Sequence, residues 1–130
     1  MLLAIETSCD ETAVAVVGAE GSLIADLVSS QIALHVPYGG VVPELAARAH
    51  LSNLPILIDE LEQREPGILS KVRAVAVTQG PGLKGCLLVG ICFAKGLAYR
   101  LGVPLIPVNH LEGHLLAGDE RHSFAGLHRR

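Results

Sequence analysis

A mixed α/β sheet covered by helices is the fold class this sequence predicts, and three observations predict it. The first thirty residues hold three short apolar runs split by polar and glycine-containing turns, the pattern of consecutive antiparallel strands. From Val42 the apolar residues switch to a spacing of three and four, the period of an amphipathic helix. Beyond Lys71, strand-length apolar runs alternate with helical ones, which implies parallel strands joined by right-handed crossovers.

The three strands fall at residues 2–6, 12–17 and 23–30. Between them lie Ser8-Cys9-Asp10-Glu11 and Gly18-Ala19-Glu20-Gly21-Ser22, both with the chemistry of hairpin connections. The first helix carries Leu45, Ala46, Ala49, Leu51, Leu54, Leu57, Ile58 and Leu61 on its apolar side, with Glu44, Arg48, Asn53, Asp59, Glu62 and Arg64 between them. Pro55 lacks an amide hydrogen, so a kink or two abutting helices is expected there. Residues 72–78 read as a buried strand and Gln79-Gly80-Pro81-Gly82 as a turn. A second helix follows over 84–100, stopped by Gly102, then a last strand over 104–108, and His110 and His114 open a third helix. The order β-β-β-α-β-α-β-α describes a ribonuclease H-like lobe, the half-unit of the actin-like ATPase (ASKHA) architecture. That lobe is expected over residues 1–117, with 118–130 as an aperiodic tail.

Composition agrees with a layered sheet. The chain has 130 residues, the size of one domain, and is 50% hydrophobic with only two Phe, two Tyr and no Trp. The core must therefore come from Val, Leu, Ile and Ala, which suits strands buried on both faces. The longest uncharged apolar run, residues 85–94, is too short to cross a bilayer as a helix. The amino terminus meets Glu6 with no basic segment before it, unlike a signal peptide, so no membrane association and a cytoplasmic location are expected. A net charge of −3 gives no global basic footprint for nucleic acid. Cys9, Cys86 and Cys92 lack metal-finger spacing and are expected to be reduced, buried thiols.

Four segments carry candidate chemistry. His110-Leu111-Glu112-Gly113-His114 puts two imidazoles four positions apart, one above the other on a helix, where they can share a zinc or ferrous ion. The alternative is two partly exposed histidines at a helix start, since no third ligand is obvious. A zinc-protease reading fails because Leu111, not an acid, follows the first histidine. The turn Thr78-Gln79-Gly80-Pro81-Gly82-Leu83-Lys84-Gly85 joins a strand to a helix, and such turns offer backbone amides to an anion, with Lys84 adding positive charge. It matches neither the Walker pattern nor the dinucleotide fingerprint, so it reads equally as a tight turn. Glu6-Thr7-Ser8-Cys9-Asp10-Glu11-Thr12 gathers three carboxylates and three hydroxyls at a hairpin tip, either a site or a solvated turn. Lastly, His35-Val36-Pro37-Tyr38-Gly39-Gly40 leads into the long helix, where Glu44, Arg48 and His50 are candidates to line a cleft.

Together these segments resemble one family. The runs Ile5-Glu6-Thr7-Ser8-Cys9-Asp10-Glu11-Thr12-Ala13, Tyr38-Gly39-Gly40-Val41-Val42-Pro43-Glu44-Leu45-Ala46-Ala47-Arg48-Ala49-His50, Gly80-Pro81-Gly82-Leu83-Lys84-Gly85 and Asn109-His110-Leu111-Glu112-Gly113-His114 are similar, in order, to the amino-terminal lobe of the TsaD family of tRNA threonylcarbamoyladenosine transferases. The resemblance implies transfer of a threonylcarbamoyl group from threonylcarbamoyl-AMP to N6 of the adenosine beside the anticodon. It implies one divalent metal, iron or zinc, with His110 and His114 as two of its ligands. It makes Asp10 and Glu11 candidate catalytic residues, and Glu44, His50, Gly80, Gly82 and Lys84 candidate substrate or cleft residues. The implied partners are TsaB-like and TsaE-like proteins and tRNA through the complete complex, while apolar surface exposed where a second lobe would dock suggests a homodimer. The family also has a second lobe, with an aspartate ligand, that these residues do not include; an incomplete metal site and an inactive isolated chain are therefore expected. The competing expectation is a non-catalytic TsaB-like binding or assembly module, which would lack the histidine pair.

Overall fold

The structure, a computed structural model, describes residues 1–112; His114 and the tail 118–130 lie outside the described residues. The amino-terminal strands are β1 (Leu2–Glu6), β2 (Glu11–Val17) and β3 (Leu23–Ser30). A one-turn helix α1 (Ile32–His35) and a 3-10 turn (Val36–Tyr38) lead to the long helix α2 (Pro43–Arg64). A second 3-10 turn (Ile68–Lys71), β4 (Ala74–Gly80), α3 (Lys84–Leu101) and β5 (Leu105–Asn109) complete the described chain. Residues 110–112 are helical, at the start expected for the histidine-bearing helix.

The strands form a single mixed sheet in the order β3-β2-β1-β4-β5. The first three pair antiparallel, as their hairpin connections require. β4 runs parallel to β1, and β5 parallel to β4, because a helix carries the chain back before each. Leu3, Ile5, Val14, Val16, Val75 and Val77 face one side of the sheet, where they meet Leu54, Leu57, Ile58 and Leu61 of α2 and Ala94 and Ala98 of α3. Each fully buried leucine or isoleucine here contributes about 1.5–3 kcal/mol relative to exposure. The strand β5, outermost among the described residues, contains Pro107, which lacks an amide hydrogen and is tolerated at a sheet edge.

Four expectations need correction. Burial on both faces holds only for β4, where positions 75–78 are all buried; β1 and β2 alternate buried with half-buried residues, so one face carries their core contacts. The run from His35 into the long helix, expected to be a loop, holds the end of α1 and a 3-10 turn, elements too short to show a helical period. Of the two alternatives at Pro55, a kink or two abutting helices, the second is overturned: α2 runs through as one helix. The carbonyl that loses its partner belongs to Leu51, which is 62% exposed, so water can serve it and the helix is not broken. Of the cysteines, Cys86 is buried while Cys9, on the hairpin tip, and Cys92, on the outer side of α3, are exposed. Among the described residues no helix is long and apolar enough to cross a membrane.

Candidate functional site

The carboxyl ends of β1, β4 and β5 lie side by side, and in open α/β sheets ligands collect at that edge. The tip of the β1–β2 hairpin folds over it and is held from three directions. Thr7 Oγ1 donates to the Cys86 carbonyl at 2.7 Å, Leu83 N–H donates to the Ser8 carbonyl at 2.9 Å, and His50 Nε2 donates to the Cys9 carbonyl at 2.7 Å. Two glycines make this approach possible. A Cβ on Gly82 would stand 2.7 Å from the Ser8 carbonyl oxygen, and one on Gly90 would overlap Thr7 Oγ1.

Glu6 ends β1 and organises the edge. Its Oε1 accepts the Ser8 amide at 2.5 Å, and its Oε2 accepts the Thr78 hydroxyl from β4. The same Oε2 lies 3.2 Å from His110 Nδ1, which is also 3.2 Å from Ser8 Oγ. Burial works to raise the Glu6 pKa, but hydrogen bonds from the Ser8 side chain, Thr78, the Ser8 amide and His110 outweigh it and hold the carboxyl below its usual range. Glu6 is therefore a carboxylate at neutral pH and can only accept hydrogen bonds. It can therefore accept a hydrogen bond from His110 Nδ1. His110 is delivered to this position by β5 and by Asn109, whose Oδ1 accepts the Leu111 amide at 2.8 Å and caps the helix start.

The remaining sequence candidates fall into different environments. His50 is completely buried: Nδ1 lies 2.7 Å from Thr12 Oγ1 and 3.4 Å from Gln31 Nε2, while Nε2 holds Cys9. It braces the hairpin instead of lining an open cleft. Gly82 is the close-approach residue already described, and Gly80 closes β4 opposite Asn109. Lys84 is exposed at the first residue of α3. Asp10 is half-buried at the tip, where its carbonyl accepts the Gln31 amide at 3.0 Å; Glu11 is exposed at the start of β2. Glu44 is exposed in the first turn of α2 and pairs with Arg48 at 2.8 Å. Among the described residues no three His, Cys, Asp or Glu side chains converge as a metal cluster. The thiol of Cys9 is pushed up by burial and by Asp10, so it is a poor nucleophile.

Sequence reasoning missed the partners. An acid ending an apolar strand, with serine two residues on, was the available sign for Glu6 and Ser8. Nothing in the sequence paired Thr78 with them. A second cluster was also missed: His35 Nε2 donates to Gln31 Oε1 at 2.9 Å, and His35 Nδ1 accepts the Val42 amide at 3.1 Å. Gln31 in turn reaches the Ala46 carbonyl at 3.3 Å, linking α1 and the glycine loop to α2.

Comparison with known proteins adds the following. A family model described as TsaD, tRNA N6-adenosine threonylcarbamoyltransferase, matches residues 22–125. A curated protein of that name from Geotalea uraniireducens is 55% identical over 117 residues, which cover 90% of this chain and 34% of that protein. Its namesake from Thermosipho africanus is 54% identical over 117 residues, covering 90% and 35%. The chain thus spans about a third of the length of these relatives. Among solved structures, YeaZ from Pseudomonas aeruginosa has a TM-score of 0.69 at 24% identity, covering 93% of this chain and 48% of that one. RuvC of T. thermophilus, in complex with a Holliday junction substrate, has a TM-score of 0.54 at 16% identity, covering 85% and 64%. These two likenesses are of fold: the lobe is ribonuclease H-like.

Proposed function

The chain belongs to the TsaD family of tRNA N6-adenosine threonylcarbamoyltransferases, and we propose on that basis that it supplies the amino-terminal lobe for threonylcarbamoyl transfer. The substrates on this reading are threonylcarbamoyl-AMP and N6 of the adenosine beside the anticodon. The observation that carries the reading is His110, standing at the carboxyl edge of the sheet with its Nδ1 against the Glu6 carboxylate. Metal-ligating histidines commonly present their second nitrogen to a carboxylate in this way, so the donor chemistry fits a divalent ion at His110. His114, four residues on, is the proposed second ligand. Iron or zinc bound there supplies Lewis acidity toward a carbamoyl carbonyl.

The chain's own groups do the rest. The start of α3, with Lys84 exposed beside it, offers backbone amides and positive charge to the phosphate of the adenylate. Asp10 and Glu11 on the hairpin tip are the proposed general bases for the attacking amine. TsaB-like and TsaE-like proteins are the proposed partners, and tRNA is bound through the complete complex. The 130 residues alone are inactive on this reading. The competing assembly-module reading does not call for the His110 and His114 pair.

A chimera tests it. Residues 1–112 of this chain, grafted in place of the matching segment of the Geotalea uraniireducens relative, are expected to support transfer from threonylcarbamoyl-AMP to unmodified tRNA. His110→Ala in the chimera is expected to abolish it. An inactive chimera that folds and assembles would remove the transferase reading, and an active His110→Ala chimera would remove the metal from it.

A further inference from the structure

We propose that Glu6 is a positioning residue for His110, holding the imidazole hydrogen on Nδ1 and thereby making Nε2 the nitrogen with the lone pair. Only the purpose of this arrangement rests on the transferase reading. The arrangement itself rests on three strands and their hydrogen bonds.

Glu6 stands on β1, Thr78 on the neighbouring β4, and His110 follows β5. The carboxylate cannot swing to suit the ring, because each oxygen is already engaged. The Ser8 amide fixes Oε1 at 2.5 Å, and the Thr78 hydroxyl fixes Oε2, the oxygen 3.2 Å from His110 Nδ1. Ser8 Oγ, at 3.2 Å, flanks the same nitrogen from the hairpin tip. Histidine in water favours the opposite tautomer, with hydrogen on Nε2. A fixed, acceptor-only partner at Nδ1 reverses that preference, and it also sets the plane of the ring.

The near-isosteric change Glu6→Gln separates positioning from bulk. The Ser8 amide is a backbone donor, so it draws the oxygen of the new amide to the place of Oε1. The amide NH2 then occupies the place of Oε2. There it donates to Thr78 Oγ1 and to His110 Nδ1, which favours an accepting Nδ1. The ring hydrogen moves to Nε2 and the lone pair to the wrong side. A purely structural role for Glu6 predicts no such exchange.

The experiment is 15N NMR of the imidazole nitrogens in the 130-residue chain at mildly alkaline pH, where histidines are neutral. The His110 signals are assigned by their loss in His110→Asn. The unsubstituted chain is expected to show a protonated Nδ1 and a lone-pair Nε2, and Glu6→Gln to exchange the two. Thr78→Val loses one donor to the carboxylate without touching the ring; it is expected to lower stability and leave the tautomer unchanged. A protonated Nε2 in the unsubstituted chain would overturn the proposal, as would a tautomer indifferent to Glu6→Gln. Exchange in Thr78→Val as well would do the same, by showing that general loosening moves the ring. None of these readouts needs metal, substrate or activity. A chain that shows the Nδ1–H tautomer in an otherwise inactive chimera would keep the positioning role and lose only the transferase reading.

Discussion

His50 and His110 both reach the tip of the β1–β2 hairpin, His50 from α2 with no exposed surface and His110 from the end of β5 with 28% of its side chain exposed. Around His50 every partner is neutral: a threonine hydroxyl, a backbone carbonyl and an amide. Around His110 the decisive partner is a carboxylate whose own pKa is held down. The first set closes on the ring and uses both nitrogens to fasten hairpin, α1 and α2 together. The second engages Nδ1 and dictates which nitrogen carries the hydrogen. Two imidazoles at one hairpin tip thus differ in kind, one bracing it through neutral groups and the other set against a carboxylate, and the charge of the neighbours makes the difference.

The largest effect expected from breaking this contrast is at the brace. His50→Ala strands the Thr12 hydroxyl and the Cys9 carbonyl and leaves a cavity, at a cost of about 3 kcal/mol in urea unfolding. The same variant should change the pH profile. Burial, with a smaller push from His35, lowers the His50 pKa against the opposing pull of the Cys9 carbonyl, Glu6 and Asp10. The unfolded chain therefore takes up a proton at about pH 6.5 that the folded chain refuses. This contribution to stability is full above that pH and declines as pH falls toward the lower folded value. His50→Ala should lose that decline relative to the unsubstituted chain; parallel profiles would show that His50 is not the titrating brace.

An intermediate effect is expected where the two clusters share support. Gly82→Ala drives a Cβ against the Ser8 backbone, which cannot yield as a side-chain tip would, and should cost about 1–3 kcal/mol. Because Ser8 also flanks His110, the ring signals of His110 should shift while those of His50 stay in place. Movement of both would mean that the clusters are one unit. The smallest effect is at Glu44. Its pair with Arg48 has side chains 76% and 73% exposed, so Glu44→Ala should change stability by less than about 0.5 kcal/mol. Any larger loss that appears in transfer by the chimera then reports contact with substrate.

Most of the fold was legible because it rests on local patterns. The short apolar runs of β1 and β2 between polar turns, the period of α2 and the glycine that stops α3 each report their element without help from the rest of the chain. The one-turn α1 was not legible, since Gln31, His35 and Val42 hold it through contacts that span the glycine loop. The candidate site divides in the same way. His110 stood out by its spacing from His114, and Gly82 by its turn. Glu6 and Thr78 are 72 positions apart and meet only because β1 and β4 pair in parallel. His50 shows the converse: a histidine on a helix leading from a glycine loop looks available in sequence, and only packing reveals that both its nitrogens are spent.

The carboxylate, hydroxyl and imidazole of Glu6, Thr78 and His110 clasp the ends of three successive strands, the last of them an edge strand with one neighbour among the described residues. Edge strands are where sheets begin to fray, and hydrogen exchange there reports local opening well below the global unfolding free energy. Peeling β5 from β4 carries the imidazole out of reach of the carboxylate two strands away. Whatever tightens the ring against that carboxylate therefore slows amide exchange along β5, so the rim of the sheet serves as a remote gauge of what happens at its tip.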